Sequence, residues 1–245
     1  MTQENFWKTR SEKYNQLKWV KDDDYLDKII SVCKPKKSDL VLDVGTGSGK
    51  IAKTLKSHCY HVVGMDISVD MMSYNEWDGM SKICNDILSP IFKNNTFDLI
   101  TARMVFHHVS DVLLGLKNCY NLLKPSGRII IAESIPPSDN PEVIKWWSYA
   151  RSFKEQRHTF SSRILQEYLK QSNFKNIKSS YYYQSKEKSS TKEWLANSRL
   201  PKDKQNTIYN LHVNAPEIVK TAHKMIITKN DVYCEHRHII IFGEK

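Results

Sequence analysis

From residue 39 the chain alternates between short unbroken apolar runs and longer stretches whose apolar residues recur every three or four positions. "DLVLDV" (39–44), "HVVGMD" (61–66), "FDLITA" (97–102) and "RIIIAE" (128–133) belong to the first kind. Such runs are too short for helices and too continuous for half-exposed strands, so they predict strands covered on both faces. Between them "KIAKTLKS" (50–57) places Ile51, Ala52 and Leu55 on one helical face. Ser68 is positioned to cap a helix through Met71 and Met72. Ser110 is expected to cap another, with Val112, Leu113, Leu116, Cys119, Tyr120 and Leu123 inward, which "KPSG" (124–127) stops. Strands alternating with helices predict a parallel sheet with right-handed crossovers.

After "PPSDNP" the character changes to an aromatic, basic stretch, "EVIKWWSYARSFKEQRH" (142–158). A helix follows from about Ser161, with Ile164, Leu165, Tyr168 and Leu169 in register, and then "FKNIKSSYYY" (174–183) reads as a strand. "STKE" (190–193) is a capping box for a helix containing Trp194, and Asn214 with Pro216 opens another. "HRHIIIFG" (236–243) is a closing strand. A helical insertion of roughly 40 residues thus precedes the last strand, and insertions of that length are usually lids or binding elements.

The 245 residues, 40% hydrophobic and 26% charged, suit one large domain or a domain with a cap. No apolar run stands behind the charges of "MTQENFWKTR", and none reaches 18 residues, so neither a secretory signal nor a membrane span is expected. Five scattered cysteines without a C-x-x-C pair fit reduced thiols and a cytoplasmic setting. The net charge of +10 is uneven: residues 1–135 carry 18 Lys+Arg against 16 Asp+Glu, and residues 136–245 carry 19 against 11. The basic half suits an anionic substrate, but no run of like charge resembles a nucleic-acid-binding arm, and a solvated lysine-rich surface is the plainer account.

The densest chemical signal is "VLDVGTGSGK" (41–50). A phosphate loop, G-x-x-x-x-G-K-[ST], fails at Val44 and Ile51; a dinucleotide loop, G-x-G-x-x-G, fails at Lys50. Asp43 stands two residues before Gly45. A carboxylate there repels a pyrophosphate and attracts a cofactor with positive charge.

The pattern D-x-G-x-G-x-G after a strand resembles motif I of the class I S-adenosylmethionine-dependent methyltransferases, type 11 group. Asp66, "NDIL" (85–88), "FDLITARMVFHHVSD" (97–111) and "LLKPSGRIIIAE" (122–133) match further segments in order. The resemblance covers about residues 38–135 and implies a Rossmann-like α/β fold, seven strands mostly parallel with the last antiparallel. A cap from residues 1–37, lid or substrate elements at 136–160 and 188–230, and 161–187 with 231–245 completing the sheet would surround that core.

The resemblance also implies S-adenosyl-L-methionine as cofactor and a site for it. Asp43 and the loop from Gly45 through Thr46, Gly47 and Ser48 to Gly49 would hold the methionine portion. Asp66, with Ile67 and Met71 beside it, would bind the ribose, and Asp86 and Ile87 the adenine edge. Arg103, Met104 and His108 would lie near the amino group and methyl, with Tyr14 closing over them. The expected activity is methyl transfer to an O, N or C nucleophile of a small organic acceptor, anionic or aromatic. An RNA or protein methyltransferase, or a non-methylating binder of the same cofactor, are the competing readings.

Two histidines are candidate catalytic groups: His158, beside Arg157 in the lid region, as a base or acceptor ligand, and His108. For His107 and His108 together, packing at the cofactor is favoured over proton transfer. Cys234, His236 and His238 would share one strand face, but no fourth ligand accompanies them and no metal is expected. Trp146, Trp147, Trp194 and Tyr181–Tyr183 serve equally as pocket lining or core.

Overall fold

The computed structural model describes residues 22–74, 76–153, 158–198 and 200–245, without the side chains of 185–187. Helix α1 (Asp23–Cys33) opens on Asp22, whose carboxylate accepts the Tyr25 N–H at 3.1 Å, with Asp23 and Asp24 in the first turn where the helix dipole favours acids. It buries Tyr25, Leu26, Ile29 and Cys33. Arg128 ties its end down, donating to the carbonyls of Cys33 and Lys34 at 2.9 Å each and pairing with Asp39 at 2.6 Å.

The apolar runs fold as the sheet. β1 (Leu40–Val44), β2 (His61–Asp66), β4 (Phe97–Arg103) and β5 (Leu123–Ile135) take up the four runs read as strands. β3 (Ser81–Cys84) is an addition, largely exposed and without an apolar run to announce it. Parallel pairing joins β1 to β2 and β4, β2 to β3, and β4 to β5. Helices α2 (Lys50–Leu55), α3 (Val69–Met72) and α4 (Val112–Leu122) make the connections.

α4 is capped by Asp111 rather than Ser110: the Asp111 carboxylate accepts the Leu114 N–H at 2.9 Å, one residue later than expected. The helix ends at Leu122, so Leu123 belongs to β5, pairing with Phe97. The register then shifts across "KPSG", where Ser126 has φ +62°, and resumes at Leu99 opposite Arg128.

Downstream come α5 (Pro141–Ser152), α6 (Ser162–Gln171), β6 (Lys175–Ser190), α7 (Thr191–Ala196), α8 (Lys202–Val213), α9 (Glu217–Ala222), β7 (Ile226–Ile227) and β8 (Val232–Glu244). Ser190 caps α7 as the capping box requires, accepting the Glu193 N–H at 3.0 Å. Pro216 sits just outside α9, at φ −55° and ψ 150°, instead of inside its first turn. The strand order is β3-β2-β1-β4-β5-β8-β6, with β7 antiparallel to β8. The expected seven strands are thus joined by the two-residue β7. The order reverses direction beside β1, and in such sheets the crevice at the strands' carboxyl ends is the usual ligand site.

The chain divides into two compact units. The first holds residues up to Glu133, Leu165–Ser180 and Ile240–Lys245; the second holds Ser134–Ile164 and Tyr181–Ile239. The second has its own small core of Val143, Ala215 and Val219, with Trp146, Ala222 and Met225 against it. All five cysteines are free, and Cys84, at the end of β3, is the exposed one. Among the described residues no helix is long and apolar enough to cross a membrane.

Candidate active site

The glycine loop leaves β1 through backbone conformations that favour glycine. Gly45, Gly47 and Gly49 have φ of +61°, +52° and +71°. A Cβ on Gly45 would meet Val105 Cγ2 at 2.3 Å, so the space a side chain would need is already filled. The loop is pinned by Thr46 N–H to the Met65 carbonyl at 3.0 Å and by Gly49 N–H to the Thr46 carbonyl at 2.8 Å.

Two carboxylates hold it from different sides. Asp66, ending β2, accepts the Gly47 N–H at 2.8 Å on one oxygen and the Ser68 N–H at 2.9 Å on the other. Burial pushes its carboxyl above the usual range, against the pull of these N–H groups. Asp43, 2% exposed, lies beneath the loop, accepting from the hydroxyls of Thr46 and Thr101 at 2.7 Å each. Desolvation pushes Asp43 up to about 6, against the hydrogen bonds from Thr46 and Thr101 and the charge of Arg103.

Beside the loop is a cavity of about 360 Å³, a size suited to a nucleoside-like ligand. The structure brings ten expected residues to its wall. Gly45 and Gly47 come from the loop, and Asp66, Ile67 and Met71 from the end of β2 and α3. Asp86 and Ile87 follow β3, while Met104 and His108 follow β4, together with Arg103 at its end. Arg103 also stacks over the Tyr25 ring of α1, 5.2 Å from its centroid. Asp43, Thr46, Ser48 and Gly49 are not on that wall; they build the loop behind it. Asp43, expected to hold the methionine portion together with the loop, lies behind the wall with each oxygen accepting one threonine hydroxyl. Asn85, Val105 and Ser110 also line the cavity and were not anticipated. Asn85 could have been found beside Asp86; Val105 carries no sequence signal.

Tyr14 and Arg157 lie outside the described residues. His158 belongs to the second unit, exposed, its ring stacked parallel to Phe160 at 6.3 Å between centroids. His107 does not line the cavity; it is 8% exposed and bonded to Glu133 at 2.7 Å. Cys234 is buried against Thr191 at 3.9 Å, and His236 is held well below the ordinary imidazole range, first by burial and then by Arg151. Among the described residues no three His, Cys, Asp or Glu side chains are arranged to hold a metal. Trp146 packs edge-on against His212 and His223, and Arg151 lies 3.7 Å over the Trp147 ring.

Residues 18–179 match the family described as "Methyltransferase domain", about two thirds of the chain. The chain belongs to the class I S-adenosylmethionine-dependent methyltransferases, of the type 11 kind. It is 24% identical over 171 residues to the uncharacterized methyltransferase YcgJ of Bacillus subtilis, covering 67% of each chain. It is 30% identical over 148 residues to the demethylmenaquinone methyltransferase of Thermotoga maritima, covering 57% of this chain and 64% of that one. The alignments thus span about two thirds of those relatives' length. The crystal structure of YcgJ superposes with a TM-score of 0.79 at 19% identity, covering 91% of this chain and 98% of that one. A Haemonchus contortus phosphoethanolamine N-methyltransferase 2, solved with S-adenosyl-L-methionine, has a TM-score of 0.65 at 17% identity, covering 100% and 60%.

Proposed function

We propose that the 360 Å³ cavity seats S-adenosylmethionine and that the chain transfers its methyl group to an O, N or C nucleophile of a small organic acceptor. The observation that carries this is the placement of Asp66. It ends β2 at the cavity wall, and its two oxygens, each holding one backbone N–H, keep further lone pairs for ribose hydroxyls. Asp86 and Ile87 stand where an adenine edge would lie, and the glycine loop leaves backbone rather than side chains against the ligand. Asp43 supplies negative charge beneath a ligand that carries an ammonium and a sulfonium.

When bound, the cofactor supplies a methyl group already activated for in-line attack. The protein's share is alignment, exclusion of water and acceptance of a proton where the nucleophile has one to lose. His108, partly buried on the wall, is the proton acceptor nearest that role, and His158 is the second candidate. A small acceptor is supported by the names of relatives: demethylmenaquinone and phosphoethanolamine methyltransferases. The basic second half favours an anionic one. The cytoplasm, where thiols stay reduced, is the setting that five free cysteines favour.

The test is product analysis: labelled S-adenosylmethionine incubated with quinol, amine, phosphobase and tRNA acceptors. Methyl transfer to a small molecule with formation of S-adenosylhomocysteine supports the reading. Transfer to tRNA alone moves the chain to the RNA-modifying class, and tight binding without turnover on any acceptor makes it a non-methylating binder.

A further inference from the structure

Glu133 closes the apolar run of β5, is 1% exposed, and spends its whole carboxylate on one turn of chain. Oε1 accepts the Val105 N–H at 3.0 Å and the His107 N–H at 3.4 Å; Oε2 lies 2.7 Å from His107 Nδ1. A buried carboxylate is expensive unless its lone pairs are matched, and here three N–H groups from two residues, Val105 and His107, match them. Since an ionised carboxylate only accepts, Nδ1 carries the proton and the imidazole is fixed in orientation and tautomer.

The turn held in this way carries the wall of the cavity. Met104 has φ +58° and donates its N–H to the Ala132 carbonyl at 2.8 Å, next to Glu133 in β5. Val105 fills the space above Gly45, His108 N–H bonds the Val105 carbonyl at 2.8 Å, and the His107 and His108 rings lie 4.1 Å apart. Met104, Val105 and His108 all line the cavity, whereas Glu133 does not.

We infer that Glu133 is a positioning residue of the methyl-transfer site. Acting through Val105 and His107, it sets the glycine-loop contact and the pose of His108. The inference rests on the reading of the cavity as the cofactor seat, and the control below separates the two.

Calorimetry with S-adenosylhomocysteine on wild type, E133A, E133Q and D66A provides the test, with circular dichroism confirming that each variant is folded. E133A should weaken binding by about 10-fold or more, the cost of losing charged hydrogen bonds. E133Q keeps an oxygen for the two backbone N–H groups but turns an NH₂ toward Nδ1. It should restore affinity to within about threefold, while nitrogen NMR shows His107 moving to the Nε2–H tautomer and the His108 ring resonances shifting with it. Wild-type binding by E133A alongside impaired binding by D66A overturns the inference, as does an E133Q as weak as E133A or an unchanged His107 tautomer. If neither D66A nor E133A affects binding, the seat itself has been misread. Should E133A not fold, amide exchange of the wild type decides: slow exchange at Val105 and His107, slower still with S-adenosylhomocysteine, is expected, and fast exchange at both overturns the role.

Discussion

Among carboxyl and imidazole groups, the shifts that burial drives fall on acids in the first unit and on imidazoles in the second. In the first, Asp43 is pushed up to about 6 and Asp66 is raised, both chiefly by burial. In the second, His223 is pushed down to about 3, first by burial and then by Arg151 and His212 against the pull of the Glu235 carbonyl; His236 is lowered by the same forces. One cause gives two signs, because burial penalises whichever form is charged. The pH consequences are opposed. Asp43, with a folded value above its unfolded one, contributes stability that is present below about 4 and lost as pH rises through about 6. His223, with a lowered folded value, contributes stability that is present above 6.5 and lost as pH falls toward 3. The lesson concerns ligands: a buried acid under a cavity creates a demand for positive charge, and buried neutral imidazoles create none.

The contrast can be broken at its strongest point first. Asp66→Ala should weaken S-adenosylhomocysteine by about 10- to 100-fold in calorimetry, since a charged acceptor is lost from both ligand and loop. Unchanged affinity would remove the first unit's claim to the cofactor. Gly45→Ala comes next. Its Cβ collides with Val105 in a positive-φ backbone, so roughly 1–3 kcal/mol of stability should go, seen as a lower melting temperature together with weaker binding. A variant melting with the wild type would mean that Val105 yields to the added methyl group.

The second unit is probed by acid. On lowering pH from 6.5 to 4.5, His223→Gln should lose less melting temperature than wild type, by on the order of 5 °C. Parallel curves would show that His223 titrates freely. The smallest effect sharpens the first unit's sign. Near pH 6, binding of S-adenosylmethionine should release a fraction of a proton, because a cationic ligand favours the ionised Asp43. Affinity should therefore rise from pH 5 to 7. Calorimetry in buffers of different ionisation enthalpy measures the release, and Asp43→Asn should abolish it; proton uptake in the wild type would reverse the argument.

How much of this was readable in advance follows the same division. β1, β2, β4 and β5 announce themselves because strands covered on both faces need unbroken apolar runs. β3 does not, since "SKIC" at the sheet edge buries little. The Asp111 cap was missed by one position because Ser110 and Asp111 both accept at an N-terminus, and only the first helical turn decides between them. Ten of the cavity-facing residues follow from the family resemblance, but the depth of Asp43 does not: a matching motif says nothing about which side of a loop a carboxylate takes. Glu133 and Val105 were silent, since each acts on residues about thirty or sixty positions away. In the second unit, α8 has a mostly polar sequence with only Ile208 and His212 buried, and its meeting with Trp146 is purely tertiary.

The distribution of thiols gives the molecule a convenient handle. Cys33, Cys59 and Cys234 are buried, with burial pushing them to about 12, 11 and 11, and Cys119 is raised still further. Such groups carry almost no thiolate at neutral pH and resist alkylation. Cys84 is exposed and immediately precedes Asn85 on the cavity wall. A maleimide dye added to the folded protein will therefore attach at one place, at the rim of the proposed cofactor seat. The unmodified sequence already contains the attachment point for a fluorescent reporter of its own ligand binding.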